Sequence, residues 1–367
     1  MTTRREITAA VLRAADAPYA LESVQLAAPG PGEVLVRVVG AGMCHTDVLP
    51  RAGLPMGAPP IITGHEGAGV VEAVGEGVGT VKVGDHVVLS FDSCGACRNC
   101  RTGQPAYCDT FMARNLVGRR LDGSTGVTDA GGAAVSAHWF GQSSFATHCL
   151  ATARNAVVVD PSLPLELLGP LGCGVQTGAG SIAVALATRP GEQVVVFGSG
   201  AVGTAAILAA RVAGASTIVA VDLHQHRLDL ACELGATHGL LGTADGLVEQ
   251  ILDITGGGAD VSFDTTGVPS VMRSALTVLR MTGRCGYVGV QLGDLVLDGS
   301  ALIGKTALGI LEGGVDPQRF IPQMLQWWQD GRFPFDRLIQ TYSLADINDA
   351  EQASLSGRVV KPVLLPG

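Results

Sequence analysis

The feature that most restricts the fold of this chain is the run VVVFGSGAVG at positions 194–203, where four apolar strand-formers break into a glycine-rich turn. A strand with no polar side chain is buried on both faces, which points to a parallel sheet covered by helices. Small residues then continue to Ala213. A second strand, IVAVD (218–222), follows, and after it a helical stretch to Leu234. VSFDTT (261–266) and RCGYVGV (284–290) read as further buried strands with helical segments between them. Alternation of this kind predicts an α/β, doubly wound parallel sheet. The whole chain has 367 residues, too many for one ordinary core, so a second domain is expected.

The turn also carries chemistry. Gly198, Gly200 and Gly203 stand where glycines permit a tight turn, close backbone approach to a pyrophosphate, and close packing of helix on strand. The helix that follows offers free N–H groups to phosphate. Asp222 ends the next strand, where a carboxylate can bind the adenosine ribose 2′-hydroxyl and would repel a 2′-phosphate. NAD is therefore expected over NADP. Arg227, five residues on, is expected beside the adenosine ribose, and a phosphate contact from it would weaken that preference.

Upstream, residues 33–39, 69–74 and 86–89 are short β-branched runs divided by Gly and Pro, so the first part of the chain reads as β. From Asp92 to about Phe140 periodicity fades, and so long a loop needs a staple. Cys94, Cys97, Cys100 and Cys108 supply one, in a C-x2-C-x2-C-x7-C pattern. Four thiolates close the coordination sphere of a tetrahedral zinc, which makes such a site structural. An iron–sulfur loop would usually continue with Pro after its last cysteine, whereas Asp109 follows here.

A second set is scattered: Cys44 in GMCHTD, His65 and Glu66 in TGHEGAG, and Cys173 in GPLGCGVQTG. Two cysteines and one histidine can hold a catalytic zinc with a fourth position open. Taken singly, a buried Cys or His is as readily a core residue. Residue pattern alone leaves both readings open.

A formal net charge of −9 argues against nucleic-acid or anionic-membrane partners. No apolar run is long enough for a transmembrane helix, and MTTRREITAA lacks the apolar stretch of a signal peptide. A cytoplasmic enzyme acting on a small molecule is the expectation, with its nine cysteines serving metal rather than disulfides. Cys149, Cys232 and Cys285 are left as core residues.

Taken together, GPGEVLVRVVGAGMCHTD, GHEGAGVVEAVGEGV, the four-cysteine loop, GSGAVG and the closing SGRVVKPVLL resemble the zinc-containing medium-chain alcohol dehydrogenases along essentially the whole chain. FGQSSFATH, GPLGCGVQTGAG and residues 312–338 are most similar to the aryl or benzyl alcohol dehydrogenase branch. The resemblance implies a GroES-like β-rich catalytic domain over 1–175, with its zinc loop at 92–110. It further implies a Rossmann domain over 176–310 and a return to the catalytic domain over 311–367. It makes Cys44, His65 and Cys173 the catalytic zinc ligands, with Glu66 able to approach the metal. Asp47 would orient His65, and Thr46 would take the alcohol proton. Thr177 and Val202 would flank the nicotinamide, with Val290 near both cofactor and substrate. His45 and Lys361 would contact the pyrophosphate, while Ser90, Trp139 and Phe140 would line a pocket suited to aromatic or allylic alcohols.

One departure stands out. Where many relatives place a histidine that relays the proton to solvent, this chain has Leu49. The implied function is reversible, NAD-linked oxidation of a primary alcohol with two zinc ions per chain, in a homodimer. A glutathione-dependent formaldehyde dehydrogenase is the alternative enzyme, although no cationic side chains for glutathione are evident around Trp139. A zinc-free quinone reductase would lack the four-cysteine loop. A catalytically silent protein on the same fold would not need Cys44, Thr46, His65 and Cys173 together.

Overall fold

A computed structural model describes residues 4–52, 57–291 and 293–367. The chain divides into two compact units: Met1–Cys173 with Asp316–Pro322 and Leu338–Gly367, and Gly174–Val315 with Gln323–Arg337. The second unit thus includes 311–315 and 323–337, which fall within the stretch 311–367 that the resemblance gives to the catalytic domain.

The first unit is built on β-strands. Glu33–Gly42, whose VLVRVV core alternates little and is buried on both sides except at Arg37, pairs antiparallel with Glu66–Val74 and with His148–Thr152. His86–Leu89, Ala156–Val159 and the C-terminal strand Lys361–Leu365 extend the same sheet, and Ile339–Ser343 lies parallel to the last of these. A hairpin of Arg5–Leu12 and Tyr19–Leu26 opens a separate four-stranded sheet. The core beneath them includes Val34, Val36, Leu89 and Phe145, each essentially sealed from solvent. Between Asp92 and Phe140 there are only short helical turns and two-residue strands, as the missing periodicity implied.

The second unit carries the parallel sheet. Counted from Gln193–Phe197, its six strands lie in the order 3-2-1-4-5-6, ending in the edge strands His238–Leu241 and Thr306–Gly309. This is the doubly wound nucleotide-binding order. Val195, Phe197, Val219 and Val221 are buried on one face and Val194, Val196, Ile218 and Ala220 on the other, so both faces of the strands are dry. The strand expected at 284–290 begins earlier and ends sooner, at Leu279–Tyr287. Val290 consequently sits in the loop beyond it, 60% exposed. Cys149 and Cys285 are core residues, but Cys232 lies on the exposed side of the helix Gln225–Leu234 and corrects its assignment to the core.

Candidate active site

The four-cysteine loop brings its sulfurs together. Ligand atoms of Cys94, Cys97, Cys100 and Cys108 all lie within 4.8 Å of one another, and Cys94 and Cys100 Sγ are 3.9 Å apart. A tetrahedral zinc with Zn–S bonds near 2.3 Å separates its sulfurs by about 3.8 Å, so the set fits the ion. Backbone N–H groups of Ala96 and Cys97 donate to Cys94 Sγ at 3.4 and 3.2 Å and pull its thiol down to about 6. The lobe is tied to the sheet by Asp92, a residue without any motif. Its carboxylate accepts from Arg114 Nη1 (2.8 Å) and Thr152 Oγ1 (3.0 Å), and its backbone exchanges two hydrogen bonds with Asn115.

The scattered set also converges. Cys44 leaves the strand Glu33–Gly42, His65 and Glu66 open the neighbouring strand, and Cys173 follows a helical turn at Gly169–Gly172. One ligand atom from each of the four lies within 4.8 Å of the others. Glycine makes the approach feasible: a Cβ at Gly42 would run into the Glu66 carboxylate, and one at Gly172 into the Leu89 carbonyl. Asp47, 1% exposed, accepts at Oδ1 from His65 Nδ1 (2.8 Å) and from the Gly64 N–H (2.9 Å). Its Oδ2 accepts from the Cys44 N–H at 3.1 Å. One carboxylate therefore fixes two ligands, and with Nδ1 engaged it is Nε2 of His65 that is left for a metal. That Nε2 is buried and has no hydrogen-bond partner, an expensive state unless an ion takes the lone pair. Burial alone would lower the His65 pKa, but the Asp47 carboxylate holds it well above the usual range. At Cys44 the Cys173 thiol, opposed by burial and helped by His65 and Lys361, holds the pKa well below the ordinary thiol range. Thr46 is half-buried, with Oγ1 3.9 Å from Cys44 Sγ.

Lys361, which the resemblance sets beside the pyrophosphate, lies against the metal-site carboxylate. It is 2% exposed, and Nζ donates to both Glu66 oxygens at 2.9 Å and to the Met43 carbonyl at 3.0 Å. Burial favours the neutral amine, yet the Glu66 carboxylate raises the Lys361 pKa above its ordinary value. The ammonium is thus ion-paired with the metal-site carboxylate. His45 is exposed.

Of the expected pocket residues, Phe140 stacks on the His65 ring at 4.4 Å and 29°, and Trp139 meets Phe140 edge-on at 5.6 Å. Both are buried in this unit's core. Ser90 is fully buried, and its hydroxyl donates to the Gly172 carbonyl at 2.6 Å, beside ligand Cys173. Gln142 had no distinguishing signal in the sequence. Its Nε2 donates to the carbonyls of His65 (2.9 Å) and Ser90 (3.1 Å), and its Oε1 accepts from the Gly67 N–H (3.0 Å).

The nucleotide motif belongs to the second unit. Gly198 has φ +88°, and a Cβ at Gly203 would strike the Gly198 carbonyl oxygen, so both glycines are required by the backbone. A Cβ at Gly200 would meet nothing within 4 Å, which leaves open space for a phosphate at the start of the helix Ala201–Val212. Asp222 accepts from the Ser199 N–H (2.7 Å) and the His224 N–H (3.0 Å), which aims its carboxylate beside the turn. Arg227 Nη1 stands 3.8 Å from Asp222 Oδ2. The short helix Gly174–Gly180, which carries Thr177, packs so closely that a Cβ at Gly178 would overlap the Val202 carbonyl.

Comparison with known proteins agrees with this geometry. Residues 30–162 match the alcohol dehydrogenase GroES-like domain, and residues 201–330 match the zinc-binding dehydrogenase domain. A geraniol dehydrogenase of Castellaniella defragrans is 48% identical over 97% of each chain. An alcohol dehydrogenase zinc-binding domain protein from Burkholderia ambifaria superposes with a TM-score of 0.97 at 48% identity, covering all of both chains. A benzyl alcohol dehydrogenase from Acinetobacter calcoaceticus superposes with a TM-score of 0.95 at 42% identity, over 99% of this chain and all of the other. The chain belongs to the zinc-containing medium-chain alcohol dehydrogenase family, with a GroES-like domain and a Rossmann domain. Among the described residues no helix is long and apolar enough to cross a membrane.

Proposed function

We propose that the protein oxidises primary aromatic or allylic alcohols to aldehydes, reversibly, with NAD and two zinc ions per chain. The observation that carries the reading is the buried, unpartnered Nε2 of His65 facing Cys44 and Cys173. When bound, zinc supplies a Lewis acid that lowers the pKa of an alcohol oxygen, and the oxidised nicotinamide supplies the hydride acceptor. Cys44, His65 and Cys173 hold the catalytic ion, and Cys94, Cys97, Cys100 and Cys108 hold the structural one. Asp47 fixes the tautomer and direction of His65, while Lys361 restrains Glu66 close to the ligands. Thr46 Oγ1 takes the hydroxyl proton of the substrate and passes it on without a histidine, because Leu49 has no group to receive it.

Phe140, stacked on the ligand imidazole, keeps that side of the site apolar and dry. Ser90, beside Cys173, brings no bulky side chain to that wall. An aromatic or allylic chain suits such walls better than ethanol does. The names of the geraniol and benzyl alcohol dehydrogenases to which the chain is similar support the same class. For the cofactor, the Asp222 carboxylate supports NAD, since a 2′-phosphate there would meet a negative charge. Pairing through the exposed edge strand Thr306–Gly309 would give a homodimer and cover an otherwise open sheet edge.

The test is a comparison of kcat/KM for benzyl alcohol, geraniol and ethanol with NAD. The two unsaturated alcohols should exceed ethanol by at least about a hundredfold, the scale of two or three buried methylene equivalents. A higher value for ethanol would overturn the substrate class.

A further inference from the structure

Glu312, Gly313 and Gly314 form a left-handed turn, with φ of +48°, +70° and +68°. This backbone region crowds any side chain and is the natural place for glycine. Two of the three positions comply. Glu312 does not, and it is only 8% exposed. A non-glycine residue kept in such a conformation is a pointer to function.

Its carboxylate has defined company. Oε2 accepts from Gln176 Nε2 at 3.2 Å and lies 3.5 Å from Thr177 Oγ1. The turn is pressed against their helix: a Cβ at Gly313 would strike the Gln176 carbonyl, and one at Gly180 would strike Gly313. Gly178 of the same helix rests on the Val202 carbonyl. Turn, helix and the start of the nucleotide-binding helix therefore form one packed series, with the carboxylate at its end.

We infer that Glu312 is a positioning residue for the nicotinamide end of the cofactor site, where it fixes the side chains of Gln176 and Thr177. The inference rests on the dinucleotide reading given under Proposed function and on the family resemblance that sets Thr177 beside the nicotinamide. A preset wall lowers the ordering cost of seating the ring, so the effect falls on binding of the nicotinamide and not on the adenosine half.

ADP-ribose separates the two halves, because it keeps the adenosine and pyrophosphate and lacks the nicotinamide. Dissociation constants for NAD and ADP-ribose would be measured by calorimetry on the full-length wild type and on Glu312→Gln, Glu312→Ala and Glu312→Gly. The Ala and Gly variants should bind NAD about tenfold more weakly, the scale of one lost hydrogen bond. ADP-ribose should stay within about twofold, since it has no group to reach the Gln176–Thr177 wall. Glu312→Gln, which retains an acceptor oxygen at the same reach, should stay near wild type for both. Glu312→Gly relieves the left-handed strain that Glu312→Ala keeps, so its thermal midpoint should lie above that of the Ala variant. Unchanged NAD affinity in the Ala and Gly variants, or a parallel loss for ADP-ribose, would overturn the inference. A wild type that binds neither ligand would instead sink the dinucleotide reading, and this inference with it.

Discussion

Replacing Asp47 tests how one buried carboxylate organises the catalytic ligands. Its two oxygens accept three donors, the N–H groups of Cys44 and Gly64 and His65 Nδ1, at 3.1, 2.9 and 2.8 Å. Asp47→Asn can turn its oxygen toward Gly64 and His65, which sacrifices only the Cys44 donor. The opposite flip would orphan the Gly64 donor and force the His65 tautomer that cannot offer Nε2 to a metal, so the first orientation wins. One buried donor left facing an amide costs roughly 1–3 kcal/mol. Asp47→Ala orphans all three donors and opens a small cavity, so it should cost several kcal/mol and release the imidazole. Removal of such an orienting partner typically lowers metal affinity about 10–100-fold. The assay is zinc content after dialysis against graded chelator, read with the thermal midpoint. Asp47→Asn should lose one of its two zinc ions at chelator strengths that spare the wild type, and Asp47→Ala should retain only the four-cysteine ion. Two tightly held ions and unimpaired turnover in Asp47→Ala would refute the reasoning.

Two further outcomes follow from charge. Asp222→Ser removes the carboxylate beside the nucleotide turn and leaves Arg227 close by, so the NADP-to-NAD ratio of kcat/KM should rise by about tenfold or more, on the scale of one relieved charge contact. An unchanged ratio would show that Asp222 does not set the preference. Burial, reinforced by Arg120, holds the His138 pKa below its ordinary value, and burial with Arg5 does the same for His148. The unfolded chain therefore binds protons more readily than the native one at these sites, and stability falls as the pH drops below about 6.5 toward the native values. The thermal midpoint should decline between about pH 7 and pH 5 in the wild type and decline less in His138→Gln, and equal slopes would remove His138 from the account.

What could be seen beforehand was what is local. The cysteine spacing of the zinc lobe and the glycines after VVVF act over a few residues, so their pattern survives in one dimension. Cys44, His65 and Cys173 needed the family resemblance, since three distant segments meet only in the folded sheet. The Lys361–Glu66 pair was not legible, because the two residues are 295 positions apart and nothing near either advertises the contact. The struts Asp92–Asn115 and Gln142–His65 were invisible for the same reason. Glu312 was hidden differently, in that its signal is a backbone angle that an unaligned glutamate before two glycines does not reveal. Cys232 was misplaced because a cysteine inside a helical stretch carries no sign of which face it occupies.

The most direct test of the central claim joins metal content with NAD-linked oxidation of benzyl alcohol, in the wild type and in Cys173→Ala. The account predicts two zinc ions and activity in the former, with loss of the catalytic ion and of turnover in the latter while the four-cysteine ion stays bound. Retention of both ions in Cys173→Ala, or a zinc-loaded wild type inactive toward every primary alcohol, would contradict it.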